Sequence, residues 1–279
     1  MKPKKRKYVI PAVKGEMVLA SAFTEPDGGS DITRLTTRAE KKGKYYRING
    51  SKTFISHGSM LDAVLVLCQT NPHADPLYRG QSIILVEKER KGFETIELKE
   101  KMGLKMTSTA QLFFNEVEVP EENLIGEENR GFYHAMEFFN KSRIGVAAQA
   151  LGIAQGAFDR ALKYANERKA FGQKIFQFQA IQHKLADMLI HIETARLLTY
   201  KAAWNFDRGK IDAQLISMAK YWAGRAATTV ADEAIEIFGG YGYFTENEVE
   251  RFYRDARITE IYEGTREIQK NLIARSLLR

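Results

Sequence analysis

The 279-residue sequence has a single cysteine, Cys68, set in an apolar run, so neither a disulfide framework nor a thiolate cluster can be built from it. Its longest apolar runs, such as "AVLVLC" (63–68), fall far short of the ~18 residues of a membrane span. The basic start "MKPKKRKYVIP" lacks the apolar core and small-residue cleavage site of a secretory signal. Its five histidines share no metal-ligand spacing, and no Ser/His/Asp triad is evident. No GxGxxG opens a helix after a strand, which argues against a Rossmann nucleotide site. These absences point to a cytoplasmic protein with no metal and no membrane partner.

Apolar residues make up 44% of the chain, enough for a globular core. Net charge is +7, and five of the positive side chains crowd into residues 2–7. Such an excess suits nucleic acid, an anionic membrane or a phosphate-rich ligand. Without zinc-finger spacing or an aromatic-basic RNA signature, no nucleic-acid partner is expected, and a phosphate-bearing small molecule explains the charge as well.

Two periods divide the chain. Residues 16 to about 119 read as strands: "MVLASAF", "DAVLVLC", "QSIILVEK" and "AQLFFNEVEV" are β-like, and "KYYRINGSKTFIS" (44–56) carries Asn49-Gly50, a hairpin signal. No ten-residue helix separates them, which predicts an antiparallel barrel or sandwich rather than βαβ units. After Pro120 the spacing changes to threes and fours. Ile144, Ala148, Leu151, Ala154, Phe158 and Leu162 form one stripe, and Leu185, Met188, Ile192, Ala195 and Thr199 a second. Leu215, Met218, Trp222, Ala226 and Val230 form a third, and Ile268, Leu272, Ile273 and Leu277 mark a short last helix. The expectation is an α+β protein in three parts: a helix end and linker over 1–15, a β domain over 16–124, and a helical bundle over 125–279. The front segment "KKRKYVIPAVKGE" reads as a last helical turn with little of its own to pack against.

Four stretches carry chemistry. "TEPDGGSD" (24–31) is either a surface turn or a glycine cradle for phosphate or a flavin edge. In "ERKAFGQ" (167–173), Arg168 is either a solvated helix end or a bidentate pyrophosphate contact. "IFGGYGYF" (237–244) is either a helix C-cap or a backbone platform. In "IYEGTREIQ" (261–269), Glu263 is either a charge complementing a helix N-terminus capped by Thr265 or a base aimed at a substrate.

Taken in order, "TEPDGGSD", "NGSKTFISHG", "KMGLKMTSTAQLFFNEVEVPEENLIGEENRGF", "ERKAFGQKIFQFQAIQHKLADM", "EIFGGYGY" and "YRDARITEIYEGTREIQKNLIAR" resemble the acyl-CoA dehydrogenase family. The resemblance covers almost the whole chain and implies a middle antiparallel β-barrel followed by a C-terminal four-helix bundle. It implies an FAD enzyme converting acyl-CoA to trans-2-enoyl-CoA and passing electrons to electron-transfer flavoprotein. Glu263 matches the base that takes the α-proton while the β-hydrogen leaves as hydride to flavin N5. The Glu263 N–H and a flavin hydroxyl would stabilise the thioester enolate.

The resemblance assigns further roles. Phe23, Thr24, Gly29 and Ser30 match the strand and turn that hold the flavin; Phe54 and Ser56 match residues packing on it. Ser30, Asn140, Arg143 and Gly264 match substrate-side contacts. Arg168, Phe171, Gln179, Glu236, Gly239 and Gly240 match the pyrophosphate and adenine cradle shared with a neighbouring subunit, which implies a homo-oligomer, a tetramer or dimer. Thr265 and Glu267 match cofactor contacts after the base. Glu236 stands where glutamine is common, Ser21 where an aromatic is often found, and Phe54 where tryptophan is common. The family's N-terminal helical domain, which would end at "KKRKYVIPAVKGE", is not matched. Two other readings remain: a non-catalytic acyl-CoA- or flavin-binding relative, and an enoyl-CoA reductase or acyl-CoA oxidase on the same fold.

Overall fold

The computed structural model describes residues 4–278. The chain divides into two units: residues up to Lys101 together with Lys105–Glu137, and Met102–Leu104 together with Phe138 onward.

The first unit is built on a sheet. Its strands are β1 (Leu19–Ala22), β2 (Arg38–Lys42), β3 (Tyr45–Ser56), β4 (Ala63–Gln69), β5 (Gln81–Glu87), β6 (Phe93–Glu97), β7 (Thr109–Pro120) and β8 (Leu124–Ile125). They pair in the order β6-β7-β3-β2-β4-β5-β8, with β1 also on β4. Strands β4 and β5 are rich in Val, Ile and Leu and buried along nearly their whole length, as strands covered on both faces are. By contrast β7 alternates, burying Ala110, Leu112 and Phe114 and then, one step out of phase, Val117 and Val119.

That phase slip is a bulge. Two residues of β7 oppose Asn49 between the pairs Ile48–Val117 and Gly50–Phe114. Asn49 Oδ1 accepts from the Glu116 N–H at 2.9 Å, and Glu116 takes a left-handed φ of 53°. Asn49-Gly50 is therefore not the hairpin turn its sequence suggests, since β3 runs straight through it. Glycine serves close approach instead: a Cβ on Gly50 would sit 2.6 Å from Thr37 Cα.

The expected antiparallel barrel is corrected in two ways. The sheet is open, and β4 pairs in parallel with both β1 and β2. Its ends do not suit closure: β8 has two residues, and β6 buries only Phe93 while exposing Glu94 and Glu97, the charged short edge that discourages further pairing. The N-terminal helical segment, Lys5–Val9 in π geometry and α1 (Ile10–Val13), has a partner after all. Tyr8 is buried with Ala63 and Leu85, and its hydroxyl donates to Glu87 at 2.5 Å.

The second unit is helical: α2 (Gly131–Glu167, its first turns counted with the sheet), α3 (Gln179–Asp207), α4 (Ala213–Phe238), α5 (Val249–Arg257) and α6 (Arg266–Leu277). A short hairpin, β9 (Lys169–Ala170) and β10 (Gln173–Lys174), joins α2 to α3. Met188, Ile192, Ala195 and Thr199 of α3 are buried as the periodicity requires, and so are Leu215, Ala226 and Val230 of α4. Asp212 caps α4, accepting from the Leu215 N–H at 2.9 Å. On α2 the buried face is rotated from the expected stripe. Leu151, Ala154 and Phe158 are buried as expected, but Ala148 and Leu162 are exposed, and Ala147, Ala161 and Ala165 are buried in their place. Helix α5 has no expected counterpart, because "VERFYRDAR" buries only Val249 and Ala256.

Candidate active site

Glu263 lies before α6, not in it. Thr265 is the N-cap, its hydroxyl accepting from the Ile268 N–H at 3.5 Å. The acid that serves the helix start is Glu267, whose carboxyl is lowered by its own backbone N–H and the Thr265 hydroxyl. Glu263 thus has no part in capping, and its surroundings are of another kind.

Residues 263 and 264 both take left-handed backbone, φ 55° and 98°. For glutamate this conformation costs on the order of 1 kcal/mol and needs surroundings that enforce it. Side chains from three helices supply them. Arg143 Nε of α2 donates to the Glu263 carbonyl at 2.9 Å, and Lys220 Nζ of α4 to the Gly264 carbonyl at 2.6 Å. Gln269 Nε2 of α6 reaches both, at 3.2 and 3.0 Å. A Cβ on Gly264 would fall 2.6 Å from Gln269 Nε2, so the lock needs glycine there.

The carboxylate itself is half-buried, and Ser142 Oγ donates to Glu263 Oε2 at 2.6 Å. Burial raises the Glu263 pKa above the usual carboxylate range, while Ser142, Arg143 and Lys220 pull the other way. Burial likewise pushes Lys220 down to about 8, helped by Arg143, and lifts the Tyr262 hydroxyl, which bonds Gln149, to about 12. A carboxylate with raised proton affinity, with two buried cations bonded to the carbonyls of its own residue and the next, is suited to accept a proton from carbon. Asn140 lies half-buried on α2, three residues before Arg143.

A second locus in the helical unit is a cavity of about 490 Å³, lined by Arg168, Gly239, Gly240 and Tyr241 among others. The Arg168 guanidinium lies 5.2 Å from the centre of the Tyr241 ring. Nothing stands within 4 Å of where a Cβ on Gly239 or Gly240 would be, so their backbone is open to a ligand. A guanidinium beside bare glycine backbone fits a phosphate-bearing group. Phe171, at the tip of the β9–β10 hairpin, has left-handed φ (51°) and is 95% exposed. Gln179 starts α3 and Glu236 lies in the last turn of α4, both exposed. These three do not line the cavity.

The sheet unit holds the remaining expected residues. Phe23 and Thr24 follow β1, Gly29 and Ser30 lie in the next turn, and Phe54 and Ser56 end β3. A buried ion pair ties these segments together. Lys52 Nζ donates to the Phe23 carbonyl at 3.0 Å and to Glu25 Oε1 at 2.9 Å, and the Thr53 N–H donates to the Thr24 carbonyl at 2.9 Å. Burial alone would raise the Glu25 carboxyl; Lys52 and Thr36 overcome it and hold it at about 2. Phe54, at left-handed φ (58°), is 70% exposed, presenting its ring on the surface of the unit.

Sequence reasoning passed over Ser142, Lys220, Gln269, Glu25 and Lys52. Two carry a legible signal: Lys220 falls in phase with the buried Ile216, Ala223 and Ala227, and Lys52 in phase with the buried Tyr46 and Ile48. A lysine on an apolar face needs a partner. Among the described residues, no cluster of His, Cys, Asp and Glu could hold a metal, and no helix is long and apolar enough to cross a membrane.

Family models match in two places: the acyl-CoA dehydrogenase middle domain over residues 20–117 and the acyl-CoA dehydrogenase C-terminal domain over 129–278. The chain is 43% identical over 275 residues to the short-chain specific acyl-CoA dehydrogenase of Clostridium acetobutylicum, covering 99% of this chain and 72% of that one. It is 42% identical to the caffeyl-CoA reductase-Etf complex subunit CarC of Acetobacterium woodii, covering 98% and 72%. The butyryl-CoA dehydrogenase structure from Megasphaera elsdenii superposes with a TM-score of 0.96 at 41% identity, covering 100% of this chain and 73% of that one.

Proposed function

The chain belongs to the acyl-CoA dehydrogenase family, and on that premise we propose that Glu263 is the base that takes the α-proton of a short-chain acyl-CoA thioester on the way to a trans-2-enoyl-CoA. The observation that carries this reading is the pinned, half-buried Glu263 carboxylate, raised by burial and backed by Arg143 and Lys220. FAD, when bound, supplies the acceptor for the β-hydrogen and its electron pair. The α-proton of a thioester is a weak acid, so the base must be oriented as well as tuned. The three-helix lock on the carbonyls of 263 and 264 provides orientation, and burial moves the carboxyl toward neutrality. The Glu263 N–H is the donor we assign to the thioester oxygen, where enolate charge develops.

For the cofactor, the proposal assigns Phe23, Thr24, Gly29, Ser30, Phe54, Ser56, Thr265 and Glu267 to the flavin side. Arg168, Phe171, Gln179, Glu236, Gly239 and Gly240 form the pyrophosphate and adenine cradle, offered to a second copy of the chain. The open glycine backbone and the guanidinium of the cavity support that cradle. Ser30, Asn140, Arg143 and Gly264 are assigned to the acyl-CoA, and electron-transfer flavoprotein is the proposed redox partner.

A second reading runs the same residues in reverse. The resemblance to a caffeyl-CoA reductase subunit favours it: protonated Glu263 would return a proton to the α-carbon of an enoyl-CoA. Anaerobic absorbance titration of the FAD-loaded protein tests both. Bleaching by butyryl-CoA, lost in Glu263→Gln while binding persists, is the expected result. Bleaching by Glu263→Gln at the wild-type rate would overturn the assignment of the base. Turnover with acceptor dyes and with reduced donors then separates oxidation from reduction.

A further inference from the structure

Lys220 is a buried charge whose cost the lock on the Gly264 carbonyl does not by itself explain. It sits on α4 with 1% of its surface exposed, between the buried Ile216 and Ala223 one turn away on either side. Desolvating an ammonium is costly, and a methionine would fill the same volume without that cost. The Gly264 carbonyl does not need a charge either, because Gln269 already donates to it at 3.0 Å. What the ammonium adds beyond that amide is a positive charge next to Glu263.

We propose that Lys220 is a positioning residue for the base: it holds the Gly264 carbonyl at 2.6 Å, and its charge biases Glu263 toward the carboxylate that accepts the proton. The inference rests on the reading of Glu263 as base. The charged groups acting on Lys220 come from two parts of the chain. Arg143 of α2 opposes its charge, whereas Glu263 and Glu260, in the segment between α5 and α6, favour it. Glu260 already carries Arg225, Arg257 and Arg266 on its carboxylate, at 3.7, 3.2 and 3.2 Å. Glu263, whose carboxylate has Ser142 as its hydrogen-bond donor, is therefore the anion that Lys220 serves. Around Glu263 itself the facing groups are Ser142 and Arg143 of α2, Lys220 of α4 and the neighbouring Tyr262. Arg143, engaged with the Glu263 carbonyl, shares the task and sets the geometry of that peptide, while Lys220 sets that of the next.

The test isolates proton transfer from oxidation. A 3-thia-acyl-CoA has α-hydrogens but carries sulfur where the β-carbon would be, so it has no β-hydrogen to lose. In D2O, the FAD-loaded protein exchanges its α-hydrogens only by deprotonation and reprotonation, which mass spectrometry follows from about pH 5 to pH 9. The acid limb of that profile reports the base. Lys220→Met removes charge and donor, Lys220→Gln keeps a donor without charge, and Lys220→Arg keeps the charge. The expected result is a rise of the acid-limb midpoint by about one pH unit in both Met and Gln variants, with Arg near wild type. Exchange well below the wild-type midpoint then slows roughly tenfold. Lys220→Gln carries the test should Lys220→Met not fold. A uniform slowing at every pH with an unmoved midpoint would reduce Lys220 to packing and overturn the inference. Glu263→Gln keeps the two claims apart. If it exchanges at the wild-type rate, the base assignment itself fails; if it is inert while the lysine variants keep the midpoint, only the role of Lys220 falls.

Discussion

The Ser142 hydroxyl and the Glu263 carboxylate, 121 residues apart in sequence, meet in a 2.6 Å hydrogen bond that joins α2 to the segment before α6. A hydroxyl donor favours the ionised carboxylate, whereas burial favours the neutral acid. The Glu263 carboxyl is poised between these two effects, and each can be altered separately.

Ser142→Ala removes the donor. A hydrogen bond to a charged group contributes about 1.5–3 kcal/mol, and about 1.4 kcal/mol is a factor of ten in the ionised fraction. The Glu263 carboxyl should rise further, so the acid limb of kcat/KM moves to higher pH and activity below it falls tenfold or more. Ser142→Thr should keep the wild-type profile. A pH–rate series on the three proteins decides it.

Gly264→Ala strains the backbone at φ 98° and drives a methyl to 2.6 Å from Gln269 Nε2. The Gln269 amide must then leave the carbonyls of 263 and 264. We expect a loss of about 1–2 kcal/mol in stability, read by denaturant unfolding, and at least a tenfold loss of kcat/KM with a smaller change in substrate affinity.

The Glu25–Lys52 pair makes the sheet unit acid-sensitive. Glu25 falls from the ordinary glutamate range to about 2 on folding. Its contribution is therefore fully present above the unfolded pKa and lost as pH falls from there toward 2. The size is on the order of 3 kcal/mol. Urea unfolding between about pH 5 and pH 2 should show this loss in the wild type. In Glu25→Gln the limb should shrink, leaving the part that Glu87, also held at about 2, contributes, with lower stability at neutral pH because Lys52 is left buried without its anion.

Glu260 is 3% exposed and surrounded by Arg225, Arg257 and Arg266, with a further bond from the Thr228 hydroxyl at 2.7 Å. Removing the anion leaves three guanidiniums facing one another. A fully buried pair would lose 3–5 kcal/mol; each arginine is more than a third exposed, so about 2 kcal/mol is expected for Glu260→Ala. The melting temperature, compared with that of Glu260→Gln, measures it.

Much of the architecture was legible because burial imposes a period. Met188, Ile192 and Ala195 follow the spacing of one helix face, and "AVLVLC" reads as a strand; both are buried as that reading requires. The misreadings arose where a local signal had a tertiary use. Asn49-Gly50 looks like a turn but serves a bulge opposite Glu116, and "VERFYRDAR" has too few apolar residues to announce α5. Open or closed sheet was not legible, because closure depends on what the edge strands meet.

By itself the sequence determined the change of period near Pro120, the kinds of side chain available, and the residues left over once the apolar faces are accounted for, since those follow from local spacing and chemistry. Only the tertiary structure decided that Glu263 stands apart from the helix cap served by Glu267. It alone brought Arg143, Lys220 and Gln269 from three helices onto two consecutive carbonyls, and Ser142 onto the carboxylate beside them. The physical reason is that a base is made by desolvation and by charges placed within a few ångströms, and both depend on helices far apart in the chain.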